Sequence, residues 1–395
     1  MTTPRRLLTV GHSYAVALNR RLADEMARAG GGDWEVIAAA PRFMRGDLRP
    51  IELEPSADGC RTEAVPAYLT GRPHVLVYGR RLRDLLRSQP WDLVHCWEEP
   101  FVLAGAQVGR WAGPAKVVYY TFQNIRKNYP PPFNWVERYS MRRAAGWIAA
   151  GETVAAALSE HPSYKVRPHR IIPLGVDVGT FHPDPPARAA IRQSLGWEAD
   201  GPPVVGYLGR FVPEKGLTLL TNALDRLRTP WRALFVGGGP REGELRSWAA
   251  RLPDRVRVVT NVPHDGVPPY LNAMDVLAAP SQTTPRWREQ LGRMLIEAFA
   301  CGAAVVGSDS GEIPHVIGDA GLVLPEANEA AWVEALGGLL ENPGRRADFA
   351  ARGLERAQAE YAWPVIAGRH LAFFDELLSS HDKRATGSSS PAAPC

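Results

Sequence analysis

Charged and glycine residues follow several apolar runs of this sequence, and they are the positions best suited to chemistry. Gly209 and Arg210 directly follow the run Val204–Leu208, and Lys215 comes five residues after Arg210. Two cations where a strand ends and a helix begins suit a phosphate or diphosphate, because a helix N-terminus is itself partly positive. A basic surface turn would have the same sequence, so this segment alone leaves both interpretations open.

Two glutamates eight residues apart, Glu289 and Glu297, form the second chemical feature. Glu297 falls inside an expected helix that begins near Arg293 and ends before Gly302. A carboxylate within an apolar stretch is costly without partners, and ribose hydroxyls would be good partners. Glu289 would lie in the loop ahead of this helix. Because Glu is common near helix starts, a helix with ordinary terminal charges is the alternative.

Other turns after strand-like runs could also approach a ligand. Gly238 lies in a run of three glycines that lets the backbone come close to a ligand, although a plain tight turn fits equally well. In the first half, Gly11 and His12 follow the first run, and backbone amides there could hold an anion. Gln123 and Asn124 offer amide side chains after a later run.

Motifs of several other chemistries are absent from the sequence. There is no Asp-x-Asp, the usual acidic site for a divalent metal on a nucleotide diphosphate. There is also no Gly-x-Ser-x-Gly and no suitable Cys/His nucleophile pair. The four cysteines are scattered, with no pair at metal-ligand spacing. The sequence therefore predicts no metal site.

The composition excludes further classes of protein. The 395 residues are 45% hydrophobic and 22% charged, as in ordinary globular proteins. The net charge of +4 is too small to indicate a nucleic-acid binder. No apolar run approaches about 18 residues, and no signal core precedes the first strand-like run. We therefore expect a cytoplasmic protein without a transmembrane helix.

Short apolar runs alternate with longer amphipathic runs through both halves of the chain. The expected strands are Arg6–Gly11, Trp34–Ala40, Asp92–Trp97, Lys116–Thr121, Gly146–Ala150, Arg170–Leu174, Pro203–Leu208, Arg232–Val236, Arg255–Val259, Val276–Ala279, Ala304–Gly307 and Gly321–Leu324. The expected helices include Ala15–Ala29, Val75–Arg87 and Phe133–Arg143. This alternation predicts an α/β fold of two doubly wound, Rossmann-like domains facing a cleft at the carboxyl ends of their sheets.

A Pro- and Gly-rich stretch near residues 173–186 marks the expected linker. The first domain would comprise residues 1–174 and the second residues 175–362. A last helix is expected over about 363–378. The tail 379–395 has the small, polar composition of a disordered segment.

The charge is unevenly divided between the halves. Residues 1–174 carry 24 basic and 16 acidic residues, a net charge of +8, and the remainder has a net charge of −4. A basic first domain would favour an anionic membrane surface or a phosphorylated, lipid-linked acceptor. The alternative is an arginine-rich codon bias spread over a solvated surface.

Residues 204–325 carry a dense series of motifs in a fixed order. They are Gly206–Arg210, Lys215–Gly216, Leu234–Pro240, Val262–Pro263, Tyr270–Leu271, Ala273–Ser281, Glu289–Arg293, Glu297–Gly302 and Ala304–Pro314. In order and spacing, these motifs resemble those of the retaining GT-B glycosyltransferases of family 4. The resemblance implies the GT-B fold, in which the final helix crosses back to the N-terminal domain.

The resemblance also implies roles for individual residues. Glu289 and Glu297 match the paired glutamates of the family, where the first faces the donor sugar and the second holds the ribose hydroxyls. Arg210 and Lys215 match the basic pair on the donor diphosphate. Such a pair would stabilise the departing nucleoside diphosphate electrostatically.

Further donor contacts are implied by the same resemblance. The amides of Leu291 and Gly292 would contact the donor sugar and phosphate, and the turn at Asn261 and Val262 would lie beside the nucleobase. The first half departs from the family pattern. It has Gly11-His12-Ser13 where members often have a Gly-Gly pair, and Gln123 where many have a histidine near the donor sugar.

The resemblance implies a retaining hexosyltransferase that needs no metal or other cofactor. It would move a hexose from a UDP- or GDP-linked donor to a hydroxyl of a glycan, a lipid-linked intermediate or a natural product. We expect same-face attack, no nucleic-acid partner, and a cytoplasmic enzyme with peripheral contact at the inner membrane face. A nucleotide-sugar epimerase, a sugar phosphorylase and an inactive nucleotide-sugar-binding module remain as alternatives.

Overall fold

A computed structural model describes residues 3–45, 50–55, 59–198 and 200–386 of the chain. The chain divides into two compact units. Unit 1 comprises the residues up to Pro173 together with those from Trp363 onwards, and unit 2 is Leu174–Ala362. The first division lies one residue from the boundary expected at 174, and the second falls at the expected start of the last helix.

Within its described residues, unit 1 contains the first eleven strands and the first five helices. Its strands are β1 (Arg5–Val10), β2 (Trp34–Pro41), β3 (Phe43–Arg45), β4 (Pro50–Glu52), β5 (Arg61–Val65), β6 (Ala67–Tyr68), β7 (Val77–Tyr78), β8 (Leu93–Cys96), β9 (Lys116–Thr121), β10 (Ala144–Ala149) and β11 (His169–Ile171). Its helices are α1 (Ala17–Gly30), α2 (Arg80–Arg87), α3 (Leu103–Trp111), α4 (Phe133–Arg143) and α5 (Glu152–Leu158).

Seven of these strands form one parallel sheet in the order β11-β10-β9-β8-β1-β2-β5. In β1, Leu8 lies opposite Ile37 of β2 on one side and Val94 of β8 on the other. All three side chains are buried, as continuous apolar strands of a sheet covered on both faces should be. The strand order changes direction at β1. Ligands of doubly wound sheets bind at the carboxyl ends of the strands that flank such a point.

The helix predicted over Val75–Arg87 is wrong in its first turn. Val77–Tyr78 forms strand β7, which pairs antiparallel with β6, and α2 begins only at Arg80. The reason is a tertiary contact. The side chain of Gln107 accepts a hydrogen bond from the backbone amide of Tyr78 at 2.7 Å and donates to its carbonyl at 3.2 Å. Both backbone groups are thus taken by a side chain that a local pattern does not reveal.

Unit 2 contains the remaining strands and all but one of the remaining helices. Its strands are β12 (Val204–Arg210), β13 (Arg232–Gly238), β14 (Val256–Val259), β15 (Val276–Ala279), β16 (Ala304–Ser308) and β17 (Gly321–Leu324). Its helices are α6 (Pro185–Ser194), α7 (Leu217–Asp225), α8 (Glu242–Ala249), α9 (Pro268–Asn272), α10 (Arg293–Ala300), α11 (Ile313–Ile317), α12 (Glu329–Glu341) and α13 (Pro343–Arg356). The six strands form a parallel sheet in the order β14-β13-β12-β15-β16-β17. The predicted α/β class with two Rossmann-like domains is confirmed.

The last helix, α14 (Trp363–Thr386), packs on α1 of unit 1. Its Phe374 ring lies 6.3 Å from that of Trp34, and the Nζ of Lys116 donates to the carbonyl of Leu377. The helix continues beyond the predicted end at 378, because neither Gly nor Pro occurs between that residue and Thr386 to terminate it. Residues 387–395 of the predicted disordered tail lie outside the described residues. Across the described ranges, no helix is both long enough and apolar enough to cross a membrane.

Candidate active site

Two of the predicted side chains of unit 2 meet in an ion pair. Lys215 ends a short 3₁₀ turn after β12, and Glu289 lies in the loop between β15 and α10. The Nζ of Lys215 contacts Oε2 of Glu289, and the Ser281 hydroxyl donates to the same oxygen at 2.8 Å. The Nζ also lies 5.3 Å from the centre of the Trp287 ring. Both members of the pair are largely shielded from water, which strengthens their electrostatic interaction with any bound group.

Two glycines allow the close backbone approach that this pair requires. Gly216 has φ +68°, and a Cβ there would lie 1.8 Å from the carbonyl oxygen of Pro280, the residue that follows β15. Gly311 has φ +57°, and a Cβ there would lie 2.1 Å from the carbonyl oxygen of Glu289. Real Cβ atoms do not approach so closely. The turns that flank Lys215 and Glu289 can therefore take these positions only with glycine.

Glu297 is buried on α10, as predicted, and has a partner that sequence reasoning did not identify. The Nε2 of His264 lies 2.8 Å from Oε1 of Glu297. His264 belongs to the segment between β14 and α9, and its side chain is 36% exposed. Its ring also lies 5.3 Å from that of Phe181. A buried carboxylate is thus held by a residue that reaches solvent.

Arg210, the first basic residue of the predicted phosphate site, is the last residue of β12. Arg210 ends β12 opposite Gly238 of β13, and its side chain is exposed. Its carbonyl accepts a hydrogen bond from the Tyr207 hydroxyl at 2.7 Å. Gly209 precedes it in the same strand. The structure therefore brings Arg210 and Gly238 together, but it shows no ion pair between Arg210 and Glu289.

The other predicted residues of unit 2 lie in the turns before α9 and α10. Asn261 is exposed with φ +61°, the left-handed region that asparagine tolerates better than most residues, and Val262 is partly buried. Leu291 is buried, and Gly292 precedes α10 directly with φ +70°. These positions agree with turns after strands, and no contact of the described residues tests their predicted roles.

In unit 1, His12 meets a buried carboxylate that the sequence analysis did not single out. Glu98 accepts a hydrogen bond from the His12 amide at 2.6 Å, and its other oxygen lies 2.5 Å from the His12 Nδ1. The Tyr78 hydroxyl donates to Glu98 at 2.6 Å. Glu98 raises the pKa of His12, and this effect exceeds the opposing effect of burial.

The backbone amides at this turn are already engaged. Gly11 donates to the carbonyl of Ala39 at 3.3 Å, and His12 donates to Glu98. In this structure the amides of Gly11 and His12 therefore bind protein groups, and the predicted anion site at this turn stays a prediction. The imidazole of His12 is partly exposed at this turn.

Glu99 fastens the neighbouring loop. It accepts hydrogen bonds from the Thr121 hydroxyl at 2.6 Å and from the Phe122 amide at 2.7 Å, so it ties the segment after β8 to the segment after β9. Burial raises the pKa of Glu99 to about 7. Glu98 and Glu99 follow a predicted strand directly, as His12 does, and this position is the signal that could have identified them.

The predicted amide side chains of unit 1 are both buried. Gln123 accepts a hydrogen bond from the Tyr129 hydroxyl at 2.8 Å, and the Tyr129 ring stacks on Phe101 with 4.2 Å between centres. Asn124 follows in the same loop. Throughout the described ranges, no three His, Cys, Asp or Glu side chains are grouped so that they could hold a metal ion.

The two Rossmann-like units are typical of the GT-B class, and comparison with solved structures supports this class. Sucrose-phosphate synthase from Thermosynechococcus elongatus superposes with a TM-score of 0.72 at 21% identity, over 95% of this chain and 100% of that one. Anabaena Alr3699/HepE in complex with UDP and glucose gives a TM-score of 0.70 at 18% identity, over 94% and 100% of the two chains. At these identities the likeness concerns the fold.

Sequence comparison shows the family. Residues 202–342 match the family described as Glycosyl transferases group 1, and residues 16–180 match Glycosyltransferase Family 4. A D-inositol 3-phosphate glycosyltransferase of Xylanimonas cellulosilytica is 32% identical over 408 residues, 94% of this chain and 92% of that protein. The chain belongs to glycosyltransferase family 4, and the predicted family and enzyme class are confirmed.

A second relative matches over a shorter region. A GDP-mannose-dependent alpha-(1-6)-phosphatidylinositol monomannoside mannosyltransferase of Mycolicibacterium smegmatis is 37% identical over 217 residues. This match spans 53% of the present chain and 55% of the relative.

Proposed function

We propose that unit 2 binds a nucleotide-diphosphate sugar and that the enzyme transfers its hexose, with retention, to an acceptor hydroxyl. The observation that carries this proposal is the shielded pair of Lys215 and Glu289. A diphosphate leaving group gains negative charge as its bond to the sugar breaks, and a fixed cation nearby stabilises that charge. A carboxylate beside the cation is suited to accept hydrogen bonds from sugar hydroxyls.

Each predicted site residue of unit 2 then has a role in binding the donor. Lys215 and Arg210 bind the diphosphate, and Glu289 binds hydroxyls of the donor sugar. Glu297 binds the ribose hydroxyls through the oxygen that His264 does not hold. The turns at Asn261–Val262 and Leu291–Gly292 contact the nucleobase and the donor sugar.

We further propose that the acceptor attacks on the face from which the diphosphate leaves. The Glu289 carboxylate is engaged by both Lys215 and Ser281, and such an engaged carboxylate is a weak nucleophile. A covalent glycosyl intermediate on Glu289 is therefore disfavoured. The cations Lys215 and Arg210 would supply the positive charge that the diphosphate needs, which supports metal-independent transfer.

The relatives suggest substrates. One is named for D-inositol 3-phosphate, and another uses GDP-mannose to extend a phosphatidylinositol mannoside. We propose a GDP- or UDP-linked hexose as donor and, for unit 1, an acceptor that is a phosphorylated or lipid-linked polyol. A glycan or another natural product is the alternative acceptor.

The surface of unit 1 supports a contact with an anionic membrane. Among the described residues, six large hydrophobic side chains are exposed, and five of them are in unit 1. Those five are Phe43, Tyr68, Leu69, Val166 and Trp135, of which the last is 61% exposed. Exposed basic residues also occur in the same stretches of sequence, namely Arg42, Arg45, Arg72, Arg126, Lys127 and Arg138. Aromatic side chains with flanking cations suit the headgroup region of an anionic bilayer at the cytoplasmic face.

Co-sedimentation with vesicles tests the membrane contact. At low salt, we expect binding to vesicles that contain phosphatidylglycerol and weaker binding to phosphatidylcholine alone. Trp135→Ser should reduce binding, whereas Val323→Ser, a change at the exposed hydrophobic residue of unit 2, should not. Equal retention on both vesicle types, or none on either, would rule out an electrostatic membrane contact.

Donor turnover tests the proposed function. The purified protein is incubated with UDP-, GDP- and ADP-hexoses in EDTA, and nucleotide release is followed. Lys215→Ala should lower kcat/KM by about 10²–10³-fold, the usual cost of removing one group that stabilises transition-state charge. Lys165→Ala, at an exposed lysine of unit 1, is the matched control and should leave turnover unchanged. Formation of an epimerised sugar without any acceptor would indicate an epimerase. A requirement for inorganic phosphate would indicate a phosphorylase.

A further inference from the structure

A buried carboxylate of unit 1 has no role in the proposed function so far. Glu98 is 1% exposed, and among the described residues its one ionic partner is His12. It accepts three hydrogen bonds, two from His12 and one from Tyr78. Removing a carboxylate from water is costly unless hydrogen bonds and an opposite charge offset the loss of hydration. The contacts with the Glu98 carboxylate therefore favour the protonated form of His12.

We propose that Glu98 is a positioning residue that holds His12 as an imidazolium, whose Nε2–H binds a phosphate group of a substrate. The inference rests on the proposed function, since it assigns a substrate group to the carboxyl edge of the unit 1 sheet. In this proposal His12 contacts the phosphate, and Glu98 acts through His12 without touching the substrate.

The geometry fixes the imidazole and leaves one donor. Glu98 binds both the backbone amide and the Nδ1 of His12, so the ring is restrained at two points. The Nε2 of His12 has no hydrogen-bond partner among the described residues, and 30% of the side chain is exposed. An imidazolium donates from both ring nitrogens, so the Nε2–H is the donor that a ligand can reach.

The location also points to a ligand. His12 follows β1 and Glu98 follows β8, and these two strands are neighbours in the sheet. The strand order changes direction at β1, which is where the ligands of doubly wound sheets bind. A phosphate is the chemical class that a fixed cation with an N–H donor recognises best.

The neighbouring titratable groups favour the charged imidazole. Glu98 contributes most to the raised pKa of His12, and Glu99 adds a smaller effect in the same direction. The other groups beside Glu98 are Tyr78 and Cys96, whose pKa values are raised by burial first and then by Glu98, so both stay neutral. Because the pKa of His12 is raised, its charge is present below that pKa and is lost as the pH rises through it.

Glu98→Gln separates charge from shape. The amide oxygen of glutamine can still accept from the His12 backbone and from Tyr78, and its NH₂ can donate to Nδ1 of His12. The hydrogen bonds are thus kept while the negative charge is removed. His12→Gln, at a partly exposed residue, provides a second variant if Glu98→Gln does not fold.

Side-chain NMR of the full chain tests the charge coupling without any turnover. The His12 resonances, assigned by their loss in His12→Gln, are titrated between about pH 5 and 9, and Glu98→Gln should lower the midpoint because it removes the main cause of the raised pKa. Inorganic pyrophosphate should perturb the His12 resonances in the wild type and perturb them less in Glu98→Gln. An unchanged midpoint, or no response of His12 to pyrophosphate, would overturn the proposal. A His12 response in a protein that transfers no sugar would instead contradict the proposed function alone.

Binding and kinetics then identify the source of the phosphate. If His12 binds the donor diphosphate, Glu98→Gln should weaken UDP or GDP binding about tenfold, as expected for one charge-assisted hydrogen bond. If it binds an acceptor phosphate, the KM for D-inositol 3-phosphate should rise by a similar factor while UDP and GDP affinities are unchanged. In either case kcat should change less than KM, and His315→Gln, at an exposed histidine of unit 2, should behave as wild type. Unchanged affinity for all three ligands would contradict the assignment.

Discussion

The hydrogen bond between His264 and Glu297 is central to how unit 2 would bind a ribose. His264 holds one carboxylate oxygen at 2.8 Å, and the second oxygen has no other partner among the described residues. We expect His264→Ala to raise the donor KM about threefold to tenfold with little change in kcat, because it removes one hydrogen bond to a charged group that positions the substrate. Steady-state kinetics with the competent donor measures both constants.

His264→Gln is the conservative comparison, since its amide can still donate to Glu297 and should recover part of the affinity. A lower donor KM in His264→Ala would contradict this account. That result would mean that His264 competes with the ribose for Glu297.

At this scale, the sequence predicts some site residues and misses their partners. Lys215, Glu289 and Glu297 are conspicuous because they follow strands or lie within an apolar helix. Glu98 also follows a strand, but its partner His12 lies 86 residues away, and the partner of His264 lies 33 residues away. The strand order and the loop paths that create these pairs are not contained in local spacing.

At the level of elements, the turn between β12 and α7 depends on one glycine. Gly216→Ala would place a Cβ 1.8 Å from the Pro280 carbonyl oxygen at a φ of +68°. We expect Gly216→Ala to lower the free energy of unfolding by about 2 kcal/mol or more and the melting temperature by several degrees. Both the clash and the left-handed conformation oppose alanine at this position. Thermal unfolding measures this change.

Gly243→Ala is the matched control. Gly243 lies in α8 with open space around its Cβ position, so alanine there should leave the melting temperature unchanged or raise it slightly. Equal stability of the two alanine variants would contradict the close packing of the β12–α7 turn.

The long buried strands were predictable because each is a continuous apolar run between turn residues. The short strands β3 to β7 were not, since they are partly exposed and lack such a run. The start of α2 was mispredicted because Gln107 takes both backbone groups of Tyr78. Tertiary packing, and not the local composition, therefore determines where these elements begin and end.

At the scale of the whole molecule, two buried histidines should make the stability of unit 1 depend on pH. His95 is in β8 and His370 is in α14, and the centres of their rings lie 5.4 Å apart. The Nε2 of each has no hydrogen-bond partner among the described residues. Burial lowers the pKa of His370 to about 4, and it lowers the pKa of His95 as well. Both pKa values are depressed on folding, so their contribution to stability is full above about pH 6.5 and is lost as the pH falls towards 4.

Urea unfolding at pH 7 and at pH 4.5 measures this dependence. From pH 7 to pH 4.5, the free energy of unfolding of the wild type should fall by on the order of 2–3 kcal/mol more than that of His370→Leu. The reason is that leucine cannot bind a proton. His315→Leu, at an exposed histidine, should follow wild type. The same pH dependence in His370→Leu and wild type would show that this histidine is not buried in its neutral form.

The stereochemistry of transfer tests the central claim most directly. The enzyme is given an α-linked UDP- or GDP-hexose and an acceptor in the presence of EDTA, and the anomeric proton of the product is followed by NMR. We predict an α-linked product whose formation is unaffected by EDTA and is strongly reduced in Lys215→Ala. A β-linked product, or no transfer and no hydrolysis with any UDP-, GDP- or ADP-hexose, would contradict the account.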